Sequence, residues 1–312
     1  MTVFPGVRPT VGAYARLAKL DVFDYYLAVP LAWTLLPGPA ATDPRILVTL
    51  LLCLAGTVAL LGAGVALDDI TGYADGSDAA NYRSDAANRR LARKPLLTGE
   101  LTVDQARAFA IRSAAAGLLC WPAAWALSPG RPAGPLVLMA VCAALALGYS
   151  AGPKFSYRGG QELTLVGFGA GVLVIAYGLV TGQITAGLVV LGVLFGIGPL
   201  IFGLYANAGD AAGDAAAGRR TLATMVTPRA YRLVILLVVL LETGVLAGAV
   251  LTGISPPLLA VVYAPVLALR GAQTGIGLVL GDGLAARRLG IRTHRLGVFL
   301  IGLSALLGEV LP

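Results

Sequence analysis

Nine apolar stretches, none alternating in the manner of a strand, run through this 312-residue chain at about residues 21–36, 46–67, 105–127, 135–149, 163–180, 184–206, 233–251, 257–269 and 296–311. A helix needs about 20 predominantly apolar residues to cross a bilayer, and fewer where a pocket interrupts it. In lipid every backbone N–H and C=O must be satisfied internally, so only helices and closed barrels span it. Continuous runs without a two-residue period favour helices. Composition agrees. Hydrophobic residues make up 57% of the chain and charged residues 12%, where a soluble domain carries about 25% charge. The expected fold is an all-α membrane protein, a single domain over residues 1–312 made of nine transmembrane helices.

The formal net charge of +7 does not call for nucleic acid, because basic residues in a membrane protein mark its cytoplasmic side. Of 23 Lys and Arg, only Arg45 and Arg131 fall in the loops after the first and third stretches, and the loops after the fifth and seventh have none. The others lie in the N-terminal segment, the even-numbered loops or the first turns of adjoining helices. The N-terminus and even loops are therefore expected in the cytoplasm, with Pro312 outside, in a multi-pass protein of a bacterial plasma membrane. Cys53, Cys120 and Cys142 sit inside apolar stretches without CxxC spacing, which gives neither a disulfide framework nor a zinc site. The N-terminal residues lack the apolar core of a signal peptide.

Charge is concentrated at a few mouths. Leu67 to Glu100 carries Asp68, Asp69, Asp75, Asp78 and Asp85 beside Arg83, Arg89, Arg90, Arg93 and Lys94. On a helix, Asp68 and Asp75 share a face two turns apart, with Gly72 between them and Asp69 turned aside. Asp78 follows three residues on; Asp85, Arg83 and Arg89 read as a solvated loop. Tyr205 to Val226 carries the tidier cluster. Asn207, Asp210 and Asp214 share one helix face, and two carboxylates with an amide oxygen suit Mg2+, which completes its shell with waters and substrate phosphates. Arg219 and Arg220 follow, with forked donors for phosphate oxygens. A third segment, Tyr149 to Leu163, adds Lys154, Arg158 and Glu162, the last at a helix start where an acid is favourable. The two Asp-rich ends echo each other, as a duplicated unit or as convergent need. Glu242 lies inside an apolar stretch, and the lone His294 in a basic run reads as interfacial.

Together these segments resemble the UbiA-type superfamily of intramembrane prenyltransferases, and within it the 1,4-dihydroxy-2-naphthoate prenyltransferases. A first family motif of the kind NDxxDxxxGxD is in register at Asp69, Gly76 and Asp78. A middle segment matches at Tyr149, Gly152, Pro153, Tyr157, Gly159 and Glu162. A second motif of the kind NxxDxxxDxxxGKRTL matches at Asn207, Asp210, Asp214, Gly218, Arg220, Thr221 and Leu222. The leading Asn of the first motif is Asp68 here, and its middle Asp is Gly72, for which Asp75 is a candidate substitute. A usual Arg-Pro is Lys94-Pro95.

The resemblance implies helices around an apolar cavity with its active mouth on the cytoplasmic side. It implies Mg2+-dependent transfer of a prenyl group from a polyprenyl diphosphate to an aromatic or other small acceptor. Asp68, Asp69, Asp75, Asp78, Asn207, Asp210 and Asp214 would hold metal. Arg93, Lys94, Lys154, Arg158, Arg219 and Arg220 would hold diphosphate. Tyr149, Glu162 and Asn207 would border the substrates, Tyr149 by shielding a carbocation; Asp21 and Asp24 join them because ionisable residues at a membrane span default to function. Two alternatives stand beside this reading. One is a membrane terpene cyclase of the same superfamily. The other is a transporter, disfavoured because the charges cluster at one side rather than at the midplane. DGLAAR, Asp282 to Arg287, opens like a CDP-alcohol phosphotransferase signature, but the later Gly and Asp are missing.

Overall fold

The computed structural model describes residues 10–84 and 91–307. Among these residues there are helices and turns but no strand, only an isolated bridge pairing Arg158 with Arg220. Asp85, Arg89 and Arg90 lie outside the described residues, as does the end of the ninth predicted stretch.

Among the described residues, seven helices are long and apolar enough to cross a membrane. They are α3 (Pro44–Ala74), α5 (Val103–Leu127), α7 (Gln161–Thr181), α8 (Ala186–Ala216), α9 (Pro228–Leu251), α10 (Pro257–Thr274, extended by a π-turn Gly275–Val279) and α11 (Gly283–Leu306). Shorter helices include α1 (Val11–Leu17), α2 (Ala28–Thr34), α4 (Ser77–Ser84) and α6 (Ala133–Gly148), beside single turns at Gly38–Ala41 and Leu222–Met225. Two of the nine expected spans are thus short. The fourth is the 16-residue α6. The first is broken into a 3-10 turn, Asp24–Leu27, and the seven-residue α2. Pro30 explains the break: it has no N–H to close the turn back to Tyr26, so an α-helix restarts where a proline is tolerated, in its first turn.

The second and sixth expected spans stop too early. Helix α3 continues seven residues past Leu67 to Ala74, and α8 continues ten past Ala206 to Ala216. Each is 31 residues, which at 1.5 Å per residue makes about 46 Å, against a hydrocarbon core of about 30 Å. The excess carries the aspartates. Alanine at 208, 211, 212, 215 and 216 keeps α8 helical through its charges.

Helix α8 is the centre of the bundle, packed against α7, α9 and α11, while α3 packs along α5 and α2 against α7 and α11. The α7–α8 contact depends on Gly196: a Cβ there would stand 2.5 Å from the Val166 carbonyl oxygen. Small residues give membrane helices this close approach. Outward faces remain apolar, with Leu119, Leu237, Leu240 and Leu241 exposed. Arg45 donates to the Leu127 carbonyl at 2.7 Å and Arg131 to that of Ala126 at 3.1 Å. Both thus sit at the α3 start and α5 end, away from the aspartates.

Two intramembrane groups are buried against neighbouring helices. Arg270 grips Glu242 through Nε (2.9 Å) and Nη2 (3.3 Å), and the Tyr263 hydroxyl donates to the same carboxylate at 2.9 Å. This pair is fully buried between α9 and α10. His294, expected at an interface, is instead buried against Phe195 of α8 in an edge-on ring contact.

Candidate active site

The far ends of α3 and α8 meet at one chamber. Asp68 and Asp69 come from the last turns of α3, and Asp75 caps that helix. The turn at Gly76 (φ 80°) then folds α4 back, placing Asp78 beside Gly72. Gly72 is what allows it. A Cβ there would lie 2.9 Å from Asp78 Cγ and 3.1 Å from Arg219 Nη2. Asp78, not Asp75, fills the space beside Gly72.

These carboxylates are met by cations. Lys94 Nζ donates at 2.7 Å to Asp69 Oδ1 and at 2.7 Å to both oxygens of Asp78. Lys19 Nζ reaches the same Asp69 oxygen at 2.7 Å. Arg219 lies 3.3 Å from Asp68 and 3.5 Å from Asp75, with its guanidinium 4.4 Å over the Tyr157 ring. Ser150 donates to Asp68 at 2.8 Å, and Tyr157 to Asp75. Burial disfavours charge on Lys94, but Asp69, Asp78 and Asp68 outweigh it and hold the ammonium above the usual lysine value. Burial pushes the Asp78 carboxyl above its usual range despite Lys94. Burial raises Asp75 less than Tyr157, Ser77 and Arg219 lower it, so its carboxyl lies below the usual range.

Asn207, Asp210 and Asp214 of α8 line the chamber from the other side, with Asp68, Asp78, Lys19, Lys94 and Arg219 opposite. The chamber encloses about 150 Å³. Helix α4 closes on α8 at Gly213, where a Cβ would meet Asn81 at 2.0 Å, and this brings the Asn81 side chain to Asp214. Gln161 donates to Asn207 Oδ1 at 3.1 Å. Among the described residues, buried polar atoms here without a hydrogen-bond partner include Asp69 Oδ2, Gln161 Oε1, Asn207 Nδ2 and Arg219 Nε. Buried polar groups are normally paired, so Gln161, Asn207 and Arg219, which line the chamber, leave hydrogen-bonding capacity there for a polar ligand. Among the described residues, no three carboxylate, imidazole or thiol groups converge closely enough to hold a metal by themselves. A second, apolar space of about 70 Å³ adjoins the chamber. Phe23, Asp68, Tyr149 and Leu165 line both, and Leu61, Leu145 and Phe168 extend the apolar walls between α3, α6 and α7.

The sequence-predicted residues therefore divide. Asp68, Asp78, Asp210, Asp214, Asn207, Arg93, Lys94, Arg219 and Tyr149 line the chamber, with Asp69 buried behind Lys94. Asp75 joins through Arg219. Lys154 and Arg158 are exposed on the rim, and Arg220 faces outward. Glu162 sits in the first turn of α7, its carboxylate met by the Leu222 N–H, outside the chamber lining. Asp21 and Asp24 do not border the chamber. Asp21 pairs with Arg93 at the surface, and the buried Asp24 is held by Arg295 at 2.7 Å, tying the 3-10 turn to α11. An apolar neighbourhood needs such a carboxylate paired, which is reason enough for its position. Lys19, Ser150, Asn81 and Gln161 were missed. Gln161 and Ser150 fall within the middle motif, and Lys19 beside Asp21 carried no periodic signal.

A family model described as UbiA prenyltransferase family matches residues 27–276, well over half of the chain. A UbiA homolog from Archaeoglobus fulgidus bound to DMAPP and Mg2+ is similar in structure, with TM-score 0.68 and 15% identity over 94% of this chain and 99% of that one. A UbiA homolog from Aeropyrum pernix K1 gives TM-score 0.63 and 18% identity over 97% and 99%. A digeranylgeranylglyceryl phosphate synthase gives 0.62 and 12% over 95% and 98%. A sequence comparison with curated proteins returns no match.

Proposed function

The chain belongs to the UbiA prenyltransferase family and is an integral membrane enzyme, and from that premise we propose that it transfers a prenyl group from a prenyl diphosphate to a small aromatic acceptor. The observation that carries the reading is the meeting of the Asp68–Asp78 and Asn207–Asp214 motifs at one polar chamber that opens onto an apolar annex. A diphosphate ester of a prenyl alcohol has the matching two-part character. The acceptor class is supported by the motif likeness to 1,4-dihydroxy-2-naphthoate prenyltransferases. The distribution of Lys and Arg supports a cytoplasmic chamber and an intracellular N-terminus; the membrane in the proposed reading is a bacterial plasma membrane. The shared hydrophobic core supports one domain over the chain.

The α8 face fits a divalent cation. Asn207, Asp210 and Asp214 offer the oxygen donors that Mg2+ takes together with waters and phosphates. When bound there, Mg2+ supplies neutralisation of the diphosphate charge as the allylic C–O bond breaks. The protein's own groups do the rest. Arg219, Lys19 and Lys94 present fixed positive charge to the leaving pyrophosphate, and such preorganised donors are usually the largest catalytic contribution. Tyr149 and Phe23 stand at the junction of chamber and annex, where aromatic faces favour a developing cation. The annex walls exclude water from it.

The test is to incubate the purified protein with Mg2+, C15, C20 and longer prenyl diphosphates and candidate aromatic acceptors, following pyrophosphate release and lipid-soluble products by mass spectrometry. A prenylated acceptor is expected, and Asp214→Ala is expected to abolish it. Pyrophosphate release with only cyclised hydrocarbon would overturn transfer, and no Mg2+-dependent release from any donor would overturn the reading altogether.

A further inference from the structure

Helix α7 opens on a residue that neither aspartate motif accounts for. Gln161 falls inside the middle segment, but at none of the positions where that segment matches the family. It lines the chamber, and only 8% of it is exposed. Its Nε2 donates to Asn207 Oδ1 at 3.1 Å, which anchors the carboxamide. Its Oε1 is buried and accepts no hydrogen bond. A buried acceptor left unpaired costs free energy, and a carboxamide oxygen is satisfied by an O–H or N–H donor.

The diphosphate is the wrong partner for this oxygen. Its ionised oxygens accept hydrogen bonds, and their complement in the chamber is the cations Lys19, Lys94 and Arg219. The lining beside Gln161 is uncharged instead. Leu165 follows one turn along α7, and Phe202, Gly203 and Ala206 lead up to Asn207 on α8. Gln161, Leu165 and Phe168 recur at i, i+4 and i+7 and so share one face of α7. Leu165 lines both chamber and annex, and Phe168 lines the annex. The face therefore passes from a hydrogen-bonding group to the junction within one helical turn, about 5.4 Å, which is close to the span of a hydroxyl-bearing aromatic ring.

Resting on the prenyltransferase reading, we infer that Gln161 reads the acceptor: its Oε1 accepts a hydrogen bond from an aryl hydroxyl, and the ring lies along Leu165 with its far edge at the junction. The acceptor class this selects is a hydroxyl-bearing aromatic. An ether in the hydroxyl's place leaves Oε1 unpaired, and a site built to bond a hydroxyl rejects the analogue that lacks it. Gln161 is thus a specificity-determining residue that acts on the acceptor, while donor ionisation is left to the charged groups.

The test uses the full-length protein in nanodiscs with 1,4-dihydroxy-2-naphthoate and its 1,4-dimethyl ether. A compound that binds the folded protein raises its melting temperature. The dihydroxy compound is expected to do so in wild type and the dimethyl ether is not, and Gln161→Met, which keeps the side-chain length without its polar atoms, is expected to lose the difference. In turnover with Mg2+ and whichever of the C15, C20 or longer prenyl diphosphates reacts, Gln161→Met should raise KM for the dihydroxy compound about 10-fold. KM for the prenyl diphosphate and the half-saturating Mg2+ concentration should stay within about twofold. Circular dichroism verifies folding, and Gln161→Ala replaces Gln161→Met if that variant is not folded. Equal melting shifts from the two compounds in wild type, no shift from either, or an unchanged acceptor KM in the variant overturns the inference. So does a rise in half-saturating Mg2+ in place of the acceptor effect, which would assign the oxygen to the metal. Absence of Mg2+-dependent pyrophosphate release from every donor fails the prenyltransferase reading instead, and the melting comparison, made without donor, reads Gln161 separately from it.

Discussion

Replacing Gly72 with alanine adds one methyl group at the point where both motifs touch. Its carbon would begin 2.9 Å from Asp78 Cγ, 3.0 Å from Asp78 Oδ2 and 3.1 Å from Arg219 Nη2. Carbon atoms pack at about 3.5–4.0 Å, so the Asp78 carboxylate must retreat by at least about 0.6 Å. Its bonds to Lys94 start at 2.7 Å, and a retreat away from the ammonium takes them past the limit of about 3.2 Å. A hydrogen bond to a charged group contributes about 1.5–3 kcal/mol. If that energy positions Lys94 for the leaving pyrophosphate, kcat/KM falls roughly 10- to 150-fold at about 1.4 kcal/mol per factor of ten. Gly248 is the control. It lies within α9 with no atom within 4 Å of an added Cβ, so Gly248→Ala should leave the rate unchanged. The assay is pyrophosphate release at subsaturating prenyl diphosphate. Wild-type kcat/KM in Gly72→Ala would refute the argument that Gly72 exists to admit Asp78.

Four further expectations can be checked. Glu242→Ala leaves the buried Arg270 guanidinium without its partner, and should lower stability by about 3–5 kcal/mol, seen as a large fall in melting temperature in a fixed detergent. Tyr25 presents a buried hydroxyl with no hydrogen-bond partner beside the annex, so Tyr25→Phe should keep or slightly raise thermal stability. A marked drop would mean the hydroxyl is paired in the protein. Asp75 has a carboxyl held below its usual range, so its contribution is present above about pH 3.9, the unperturbed value, and is lost as pH falls through the folded-state pKa. Melting temperatures between pH 5 and pH 3 should therefore fall more steeply for wild type than for Asp75→Asn. Cysteine placed at Arg219 should label from the cytoplasmic side, and labelling only from the opposite side would reverse the proposed orientation.

The stretches that became long helices were legible because nothing but a helix satisfies twenty consecutive apolar residues in lipid. Their ends were not. Hydropathy registers Asp68 and Asp210 as the end of a run, although the backbone continues through them as helix. Hydropathy reports the surroundings of a segment and not its conformation. The first span failed for another reason. One proline and one buried carboxylate, Asp24, divide it, and the partner that tolerates Asp24 is Arg295, 271 positions away. Spacing within each aspartate motif put its residues on a helix face, and the family resemblance, not the spacing, implied that Asp68, Asp78, Asn207, Asp210 and Asp214 serve one mouth. Spacing could not place Lys19 or Lys94 against Asp69, because those contacts depend on how α1 and the segment after α4 return to α3. The same holds for Asp78 in the space beside Gly72, where helix periodicity pointed to Asp75 and the turn at Gly76 decided otherwise.

The overlong helices α3 and α8 have a consequence for traffic. Each runs about ten residues beyond the ~20 that the hydrocarbon layer needs and carries its carboxylates within that excess, while the annex lies back toward the apolar bundle. The molecule thus straddles a phase boundary, and a reaction at the junction sorts its products by solubility. The ionic fragment is released where water already is, and the hydrocarbon fragment is formed where oil already is. Neither has to be dragged through the wrong solvent, so an enzyme of this shape needs no separate export step for a lipid product or a polar by-product.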